Sequence, residues 1–454
     1  MASEKHKLTE DHLIGCLDCR NNIPFELPQP ILNACLEGKL VIFAGAGIST
    51  EGRNVFPFTL YDDLKAELNI KSEIPFPTLM TRFVEKTHDK RLLLQRIKQR
   101  IDYAKSFPDL YQRVVKFHRE LSTIHQIKEI ITTNWDDFFE RESGATPIVT
   151  DEDFTFWDEP YRKVFKIHGS INNPGSIIAT EDDYKNCYKK LSKTAIGGSL
   201  RHLLATKTIV FCGYSLRDQD FKRIYEYLKK TMGAFMPHSY IVTLSERLDG
   251  KSKNMPTVIK TDATHFLYKL KEELVKRKQL IPDFVFTEII SKLLKVRKIH
   301  FNLAKVDIKR DPFMILCLSY QDGLLHAFER IVENWHSGYY SHLCKIEESI
   351  KNYLKLRKAF LKKKRYFDVA YIDGYIVGLF QLIPELSKEM GCPMYYVFNS
   401  EPLFTYQTYQ KAGRRSRGNL KVIYRWAKKE IGKYKSGIVL QHTPFLMGAS
   451  IDEV

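Results

Sequence analysis

An α/β fold, in which a parallel sheet with a helical insertion is followed by a smaller mixed, mainly helical domain, is predicted by three features of the sequence. Short runs rich in β-branched and aromatic residues recur through the first part of the chain, each ends in Gly, Asn, Ser or Thr, and after about residue 290 long amphipathic stretches replace them. Runs that are apolar throughout, rather than alternating, are how strands of a parallel sheet covered on both faces read. In order they are LVIFAG (40–45), IKEIITTN (127–134), KVFKIHG (163–169), TIVFCGYS (208–215), YIVTLS (240–245) and TVIKT (257–261).

About eighty residues separate the first two runs, too many for one crossover helix, and LYDDLKAELNI and RLLLQRIKQRIDYAK within them have helical spacing. They are expected to form a helical insertion beside the sheet. Beyond residue 290, SHLCKIEESIKNYLKLRKAFLKKKRYF places Leu343, Ile346, Ile350, Tyr353 and Phe360 on one helical face, and NLKVIYRWAKKEIGKYK is a shorter helix of the same kind. QDGLLHAFER, YFDVAYIDGYIVGLFQ and YYVFNSEP read as packed helix or strand. The expected organisation is an N-terminal helical segment (1–34), an α/β domain (35–290) and a basic C-terminal domain (291–454).

The chain of 454 residues is 44% hydrophobic and 12% aromatic, the composition of a folded globular protein of two domains. Its formal charge is +17, and residues 291–454 hold 28 basic and 15 acidic side chains, a balance of +13, which points that region toward an acidic partner. MASEKHKLTEDHLIGC contains no apolar core of signal-peptide length and no window resembles a membrane span, so a cytoplasmic location is expected. Eight scattered cysteines suit reduced thiols rather than a disulfide framework. Cys16 and Cys19 make one C-x-x-C, with His6 and His12 upstream, but no second pair follows at finger spacing and no metal is expected.

Ligands bind at the carboxyl ends of such strands, so the residues there decide function. Gly45, Ala46 and Gly47 would let backbone approach a pyrophosphate, and a helix beginning near Ser49 would offer its N–H groups, the arrangement of a Rossmann-like domain. Alone this motif is weak, because Thr50 replaces the third glycine of G-x-G-x-x-G. Its company is stronger: TTNWDDF puts Asn134 and Asp136 at one strand end, KIHGS puts His168 at another, and FCGYS puts Gly213, Tyr214 and Ser215 at a third. A carboxamide, a carboxylate and an imidazole beside a dinucleotide suit chemistry at a ribose, where a neutral imidazole takes a hydroxyl proton.

The order G-A-G-I-S, T-T-N-W-D, K-x-H-G, G-Y-S over residues 35–265 resembles the sirtuin family, and more closely its NAD-destroying branch in bacterial anti-phage defence. The resemblance implies NAD as substrate, with phosphate and ribose contacts from Gly45, Ala46, Gly47 and Ser49, and Asp136 near the nicotinamide carboxamide. It implies Asn134 positioning the ribose or a water, His168 as catalytic base, and Gly213, Tyr214 and Ser215 lining the adenosine side. The implied activity is NAD+ hydrolysis at the nicotinamide–ribose bond, to nicotinamide and ADP-ribose. The paired C-x-x-C zinc module of deacylating sirtuins is missing, since only Cys187 lies between His168 and Thr208, and the G-I-P-D-F-R loop is replaced by GISTEGRNVFPFTLYDDL. Those departures put deacylation in doubt.

Plainer roles stand beside these. Asn134 and Asp136 would serve as turn and cap residues, Arg217, Asp218 and Asp220 as surface residues, and FLKKKRYF and GRRSRG (413–418) as a solvated face and loop. Alternatives to hydrolysis are an NAD-dependent protein deacylase or ADP-ribosyltransferase, and a non-catalytic module that binds NAD or ADP-ribose. The expected partners are NAD, further copies of the chain, and a partner subunit such as a P-loop ATPase or a nucleic-acid-guided sensor. Direct nucleic-acid contact is the lesser expectation, because no RNA- or DNA-binding motif accompanies the charge.

Overall fold

A computed structural model describes residues 21–433 except 53–54, 160, 192, 215–225, 228, 231–232, 234–237, 245–255 and 307, and also His442 and Pro444. Ser215, the C-x-x-C pair and Arg217, Asp218 and Asp220 therefore lie outside the described residues. The chain divides into two compact units, Met1–Leu274 and Val275–Val454, so the first ends some fifteen residues before the change of sequence character near 290.

The first unit is built on a fully parallel sheet. Its strands are β1 (Leu40–Ala44), β2 (Glu129–Thr132), β3 (Thr146–Ile148), β4 (Lys163–Lys166), β5 (Thr208–Cys212), β6 (Ser239–Val242) and β7 (Thr257–Ile259), in the order β3-β4-β2-β1-β5-β6-β7. Five of them fall within the runs identified in the sequence, and β6 begins one residue ahead of its run. The seventh, β3, is a three-residue edge strand containing Pro147, too short and too poor in backbone donors to show as an apolar run. Residues Leu40–Ala44 of β1 are wholly inaccessible to solvent, as a central strand covered on both faces must be. On one face Val41, Phe43, Ile131, Phe165 and Phe211 meet Leu200, Leu203 and Leu204 of the helix Ala195–Thr206. From β1 the chain goes to β2 on one side, later returning to β5 on the other, so β1 lies at the topological switch point where the crevice of an open sheet forms.

Register puts four strand ends in one row. Ala44 pairs with Thr132 and Cys212, and Thr132 with Lys166. The residues immediately beyond that row are Gly45–Gly47, Asn134, His168 and Gly213–Tyr214, with Asn134 and His168 each two positions past a paired residue on adjacent strands.

Between β1 and β2 stand the helices α1 (Leu60–Glu67), α2 (Phe76–Thr87), α3 (Lys90–Ser106), α4 (Pro108–Val114) and α5 (Lys116–Ser122). Thr59 and Asp62 cap α1 reciprocally, and the Asp89 side chain caps α3. Leu64, Leu79, Met80, Phe83, Leu93, Ile97 and Ile101 form a core of their own, which also takes in Phe138, at the start of the helix Phe138–Ser143 after β2, and Ile171 from the loop after β4. The insertion is thereby packed onto the strand ends. One expectation is corrected: no helix begins near Ser49. A single 3-10 turn, Ala46–Ile48, stands there, and the next α-helix after β1 waits for the Thr59 cap beyond Gly52 and Pro57.

Among the described residues the ordered elements of the second unit are helices, apart from an isolated bridge between Tyr395 and Leu403. Its centre is α6 (Met314–Glu333) against α7 (Tyr366–Phe380), the QDGLLHAFER and YFDVAYIDGYIVGLFQ stretches. A Cβ at Gly323 would stand 1.9 Å from the Tyr371 carbonyl oxygen and one at Gly374 1.9 Å from that of Tyr320, so the two backbones touch where each helix has glycine. In α8 (Leu343–Lys362), Ile346, Ile350, Tyr353, Leu356 and Phe360 are buried, the face read from the sequence with Leu343 at its margin. The GRRSRG stretch is not a loop: it lies inside α9 (Tyr406–Asn419), whose buried Tyr409 donates to Asp311 at 2.9 Å. No described helix is long and apolar enough to cross a membrane.

Candidate functional site

The crevice is made where two glycine turns interlock. Gly45 N–H donates to the Cys212 carbonyl at 2.8 Å and Gly47 N–H to that of Gly213 at 3.0 Å. A Cβ on Gly45 would meet the Tyr214 ring at 2.8 Å, one on Gly47 the Gly213 oxygen at 2.8 Å, and Gly213 itself has φ +74°. These glycines are thus required by the contact between the β1 and β5 turns, before any ligand is considered. Ile48 and Ser49 donate back to Gly45 and Ala46, which leaves the exposed Ala46 N–H as the one amide of residues 45–49 without an acceptor among the described residues.

Several of the residues expected to contact ligand are occupied with one another. Ser49 Oγ donates to Asp136 Oδ2 at 2.7 Å, both groups buried, and Asp136 Oδ1 accepts from Phe138 N–H at 3.3 Å, although the N-cap of the helix Phe138–Ser143 is Asp137 and not Asp136 as its position suggested. The Tyr214 hydroxyl lies 2.8 Å from Thr133 Oγ1 and 3.2 Å from the Ala44 carbonyl, tying the β5 turn to β1 and β2. Asn134 differs from these. Its Nδ2 donates to the Gly45 carbonyl at 3.2 Å, fixing the amide plane, while its buried Oδ1 has no partner among the described residues. A buried amide oxygen without a donor is costly, and a ligand hydroxyl or water would satisfy it.

His168 sits on the neighbouring strand end. Gly169 follows with φ +86°, and a Cβ there would lie 2.2 Å from the Ser176 carbonyl oxygen, so the H-G pair makes a turn closed to other residues. The ring packs edge-on against Tyr184 with 5.0 Å between centroids. Burial pushes the imidazole down from 6.5 to about 4, so it is a neutral base at physiological pH. Trp135 turns away: its ring is 6.1 Å from that of Phe76, in the core of the insertion.

The residues the sequence did not single out lie beneath this row. Lys166, two positions before His168, is fully buried, with its ammonium donating to the Asp136 carbonyl and 3.3 Å from Glu140 Oε1. Burial pushes the Glu140 carboxyl up. His118 of α5 is also buried, and burial pushes it down to about 4. A charged residue on the inward phase of an otherwise apolar strand run was the one sequence signal for Lys166.

The loop after the β1 turn is pinned from the insertion. Arg100 Nε donates to Glu51 at 2.7 Å, its Nη2 donates to the Phe58 carbonyl at 2.6 Å, its guanidinium lies 4.2 Å from the Phe56 ring centre, and Glu51 Oε2 accepts from Leu60 N–H at 2.9 Å. Replacing Arg100 with glutamine removes the guanidinium contacts to Glu51, Phe58 and Phe56 and is expected to cost about 1–2 kcal/mol. Limited proteolysis should then cut within residues 49–59 at least tenfold faster than in the wild type.

Residues 128–267 match the family model described as SIR2-like domain. That stretch of the chain is similar to a SIR2-like domain. The chain is 29% identical over 197 residues to the NAD(+) hydrolase ThsA of Enterococcus faecium, covering 41% of this chain and 39% of that protein. Against the NAD(+) hydrolase ThsA of Cytobacillus dafuensis it is 30% identical over 216 residues, 46% and 41% of the two chains. Against Defense-associated sirtuin 2 of Bacillus subtilis it is 23% identical over 223 residues, 46% and 21%. The match spans less than half the length of each of these relatives. The SIR2-like domain model starts at the residue before β2, so it takes in Asn134, Asp136, His168, Gly213 and Tyr214, while the β1 turn lies outside it.

Proposed function

We propose that the chain is an NAD+ hydrolase that breaks the nicotinamide–ribose bond to give nicotinamide and ADP-ribose, and that it depletes NAD as an effector of bacterial anti-phage defence. The observation that carries this reading is the Asn134–His168 pair. One buried amide oxygen with an unmet hydrogen bond and one neutral imidazole stand at corresponding positions past adjacent strands, beside a glycine turn with a free amide. Ala46 N–H would meet a phosphate oxygen of the dinucleotide. Asn134 Oδ1 would accept from a ribose hydroxyl or from the attacking water, its position set by the bond to Gly45. His168 would take the proton released when a hydroxyl or water is activated, and the cationic nicotinamide departs neutral without an acid. Ser49, Asp136 and Tyr214 hold the walls of the crevice through their bonds to one another and to β1 and β2, and Gly45, Gly47 and Gly213 allow those walls to close.

The names of the relatives support hydrolysis over deacylation, and NAD as an intracellular substrate supports action in the cytoplasm. We further expect the chain to assemble with further copies of itself or with a partner subunit such as a P-loop ATPase or a nucleic-acid-guided sensor. Purified full-length protein incubated with NAD and no peptide should release nicotinamide and ADP-ribose in equal amounts. Release only when an acylated peptide is added, with transfer of the acyl group to ADP-ribose, would overturn the proposal.

A further inference from the structure

We propose that the outward faces of α9 and α10 (Lys421–Ile431) in the second unit form a binding surface for the phosphate backbone of a nucleic acid. Residues 406–433 carry nine basic side chains and one acidic, a balance of +8 out of the +17 of the whole chain. The two helices are joined through the single residue Leu420.

The geometry concentrates this charge. In α10, Ile423, Ala427 and Ile431 are buried in the core of the unit, which fixes the inward face. At 100° per residue, Lys421, Arg425, Lys428 and Lys429 fall in a sector about 100° wide, its centre roughly 150° from that of the buried face. All four are exposed, as are Lys411, Arg414 and Arg415 of α9. None of these seven has an ion-pair partner among the described residues, and the one acid, Glu430, is taken by Lys433 at 2.7 Å. By contrast, the lysines of α8 share that helix with Glu347 and Glu348.

Lys411–Arg415, Lys421–Arg425 and Arg425–Lys429 are like charges four apart on a helix, each pair repulsive. Nothing in the described fold relieves that repulsion, and a polyanion would. Duplex DNA presents a phosphate charge about every 1.7 Å of axis, so the roughly 12 Å of α10 from Lys421 to Lys429 would meet several. A bilayer fits less well, because an interfacial helix needs a free apolar face and that of α10 is spent on the core. A protein interface needs a desolvated apolar centre, and within the sector and its edges only Val422 is apolar and exposed.

The test uses the full chain and fluorescence anisotropy with labelled 20-mers of duplex DNA, single-stranded DNA and single-stranded RNA at 50–200 mM NaCl. Binding to at least one of them is expected, with log K falling linearly in log salt. Lys421→Gln, Arg425→Gln, Lys428→Gln and Lys429→Gln combined should weaken it by at least tenfold at 100 mM and reduce the salt slope by about 3 to 4. A second variant, Lys411→Gln, Arg414→Gln and Arg415→Gln combined, should do the same to a smaller extent. Both should keep the wild-type thermal midpoint and the wild-type rate on NAD, which separates this surface from the crevice. No binding at 50 mM overturns the proposal. So does binding that both variants retain, or equal affinity for polyglutamate or phosphatidylserine vesicles.

Discussion

Replacing His168 with alanine is expected to lower NAD cleavage by about 10²–10⁴-fold, the contribution of a positioned proton acceptor. The imidazole is buried against Tyr184 and held down to about 4, so it stays the free base well below the range of an ordinary histidine. Wild-type kcat/KM should accordingly be flat from pH 5 to pH 8, where an unperturbed histidine would already halve the rate near pH 6.5. Stability behaves differently over the same range. Because the folded-state value of His168 lies below the unfolded one, the unfolded chain takes up the proton first as pH falls. Stability is therefore undiminished above about pH 6.5 and declines toward pH 4, and His118 adds to the same decline. Rates and unfolding curves measured at the same pH values separate these effects. A His168→Ala protein with more than a tenth of the wild-type rate would remove His168 from the role.

The contrast between His168 and its neighbours shows what sequence can and cannot display. Strand runs ending in glycine, asparagine, serine or threonine located six of the seven described strands and put the polar ends in one row, because a strand buried on both faces keeps most of its polar residues for its end. The use of those ends was harder to read. Ser49, Asp136 and Tyr214 look like ligand contacts in sequence, yet in the fold they bond to one another's elements, and which side chains are left over depends on pairings across 80 or more residues. The glycines likewise answer to the meeting of the two turns. Lys166 and Glu140 were hidden for the same reason: sequence shows a charge, and only packing shows that it is buried and paired.

That pair gives the largest stability effect expected in the first unit. Lys166→Met keeps the length of the side chain but removes the ammonium, leaving the Asp136 carbonyl without a donor and the Glu140 carboxylate without its cation. Deleting one partner of a buried pair costs about 3–5 kcal/mol, most of it the penalty of the abandoned charge. Hydrogen exchange of the β1 and β2 amides reads this unit by itself, and its opening free energy should fall by that amount. Glu140 offers a way to apportion the loss. Burial already pushes its carboxyl up, so without Lys166 it will take a proton as pH falls and become the cheaper neutral form. The cost of Lys166→Met should thus be greater at pH 8 than at pH 5. Adding Glu140→Gln should restore part of the loss at pH 8 and little at pH 5. A cost independent of pH would mean that the loss comes from the Asp136 carbonyl, and that Lys166 serves the loop bearing Asn134 rather than the charge of Glu140.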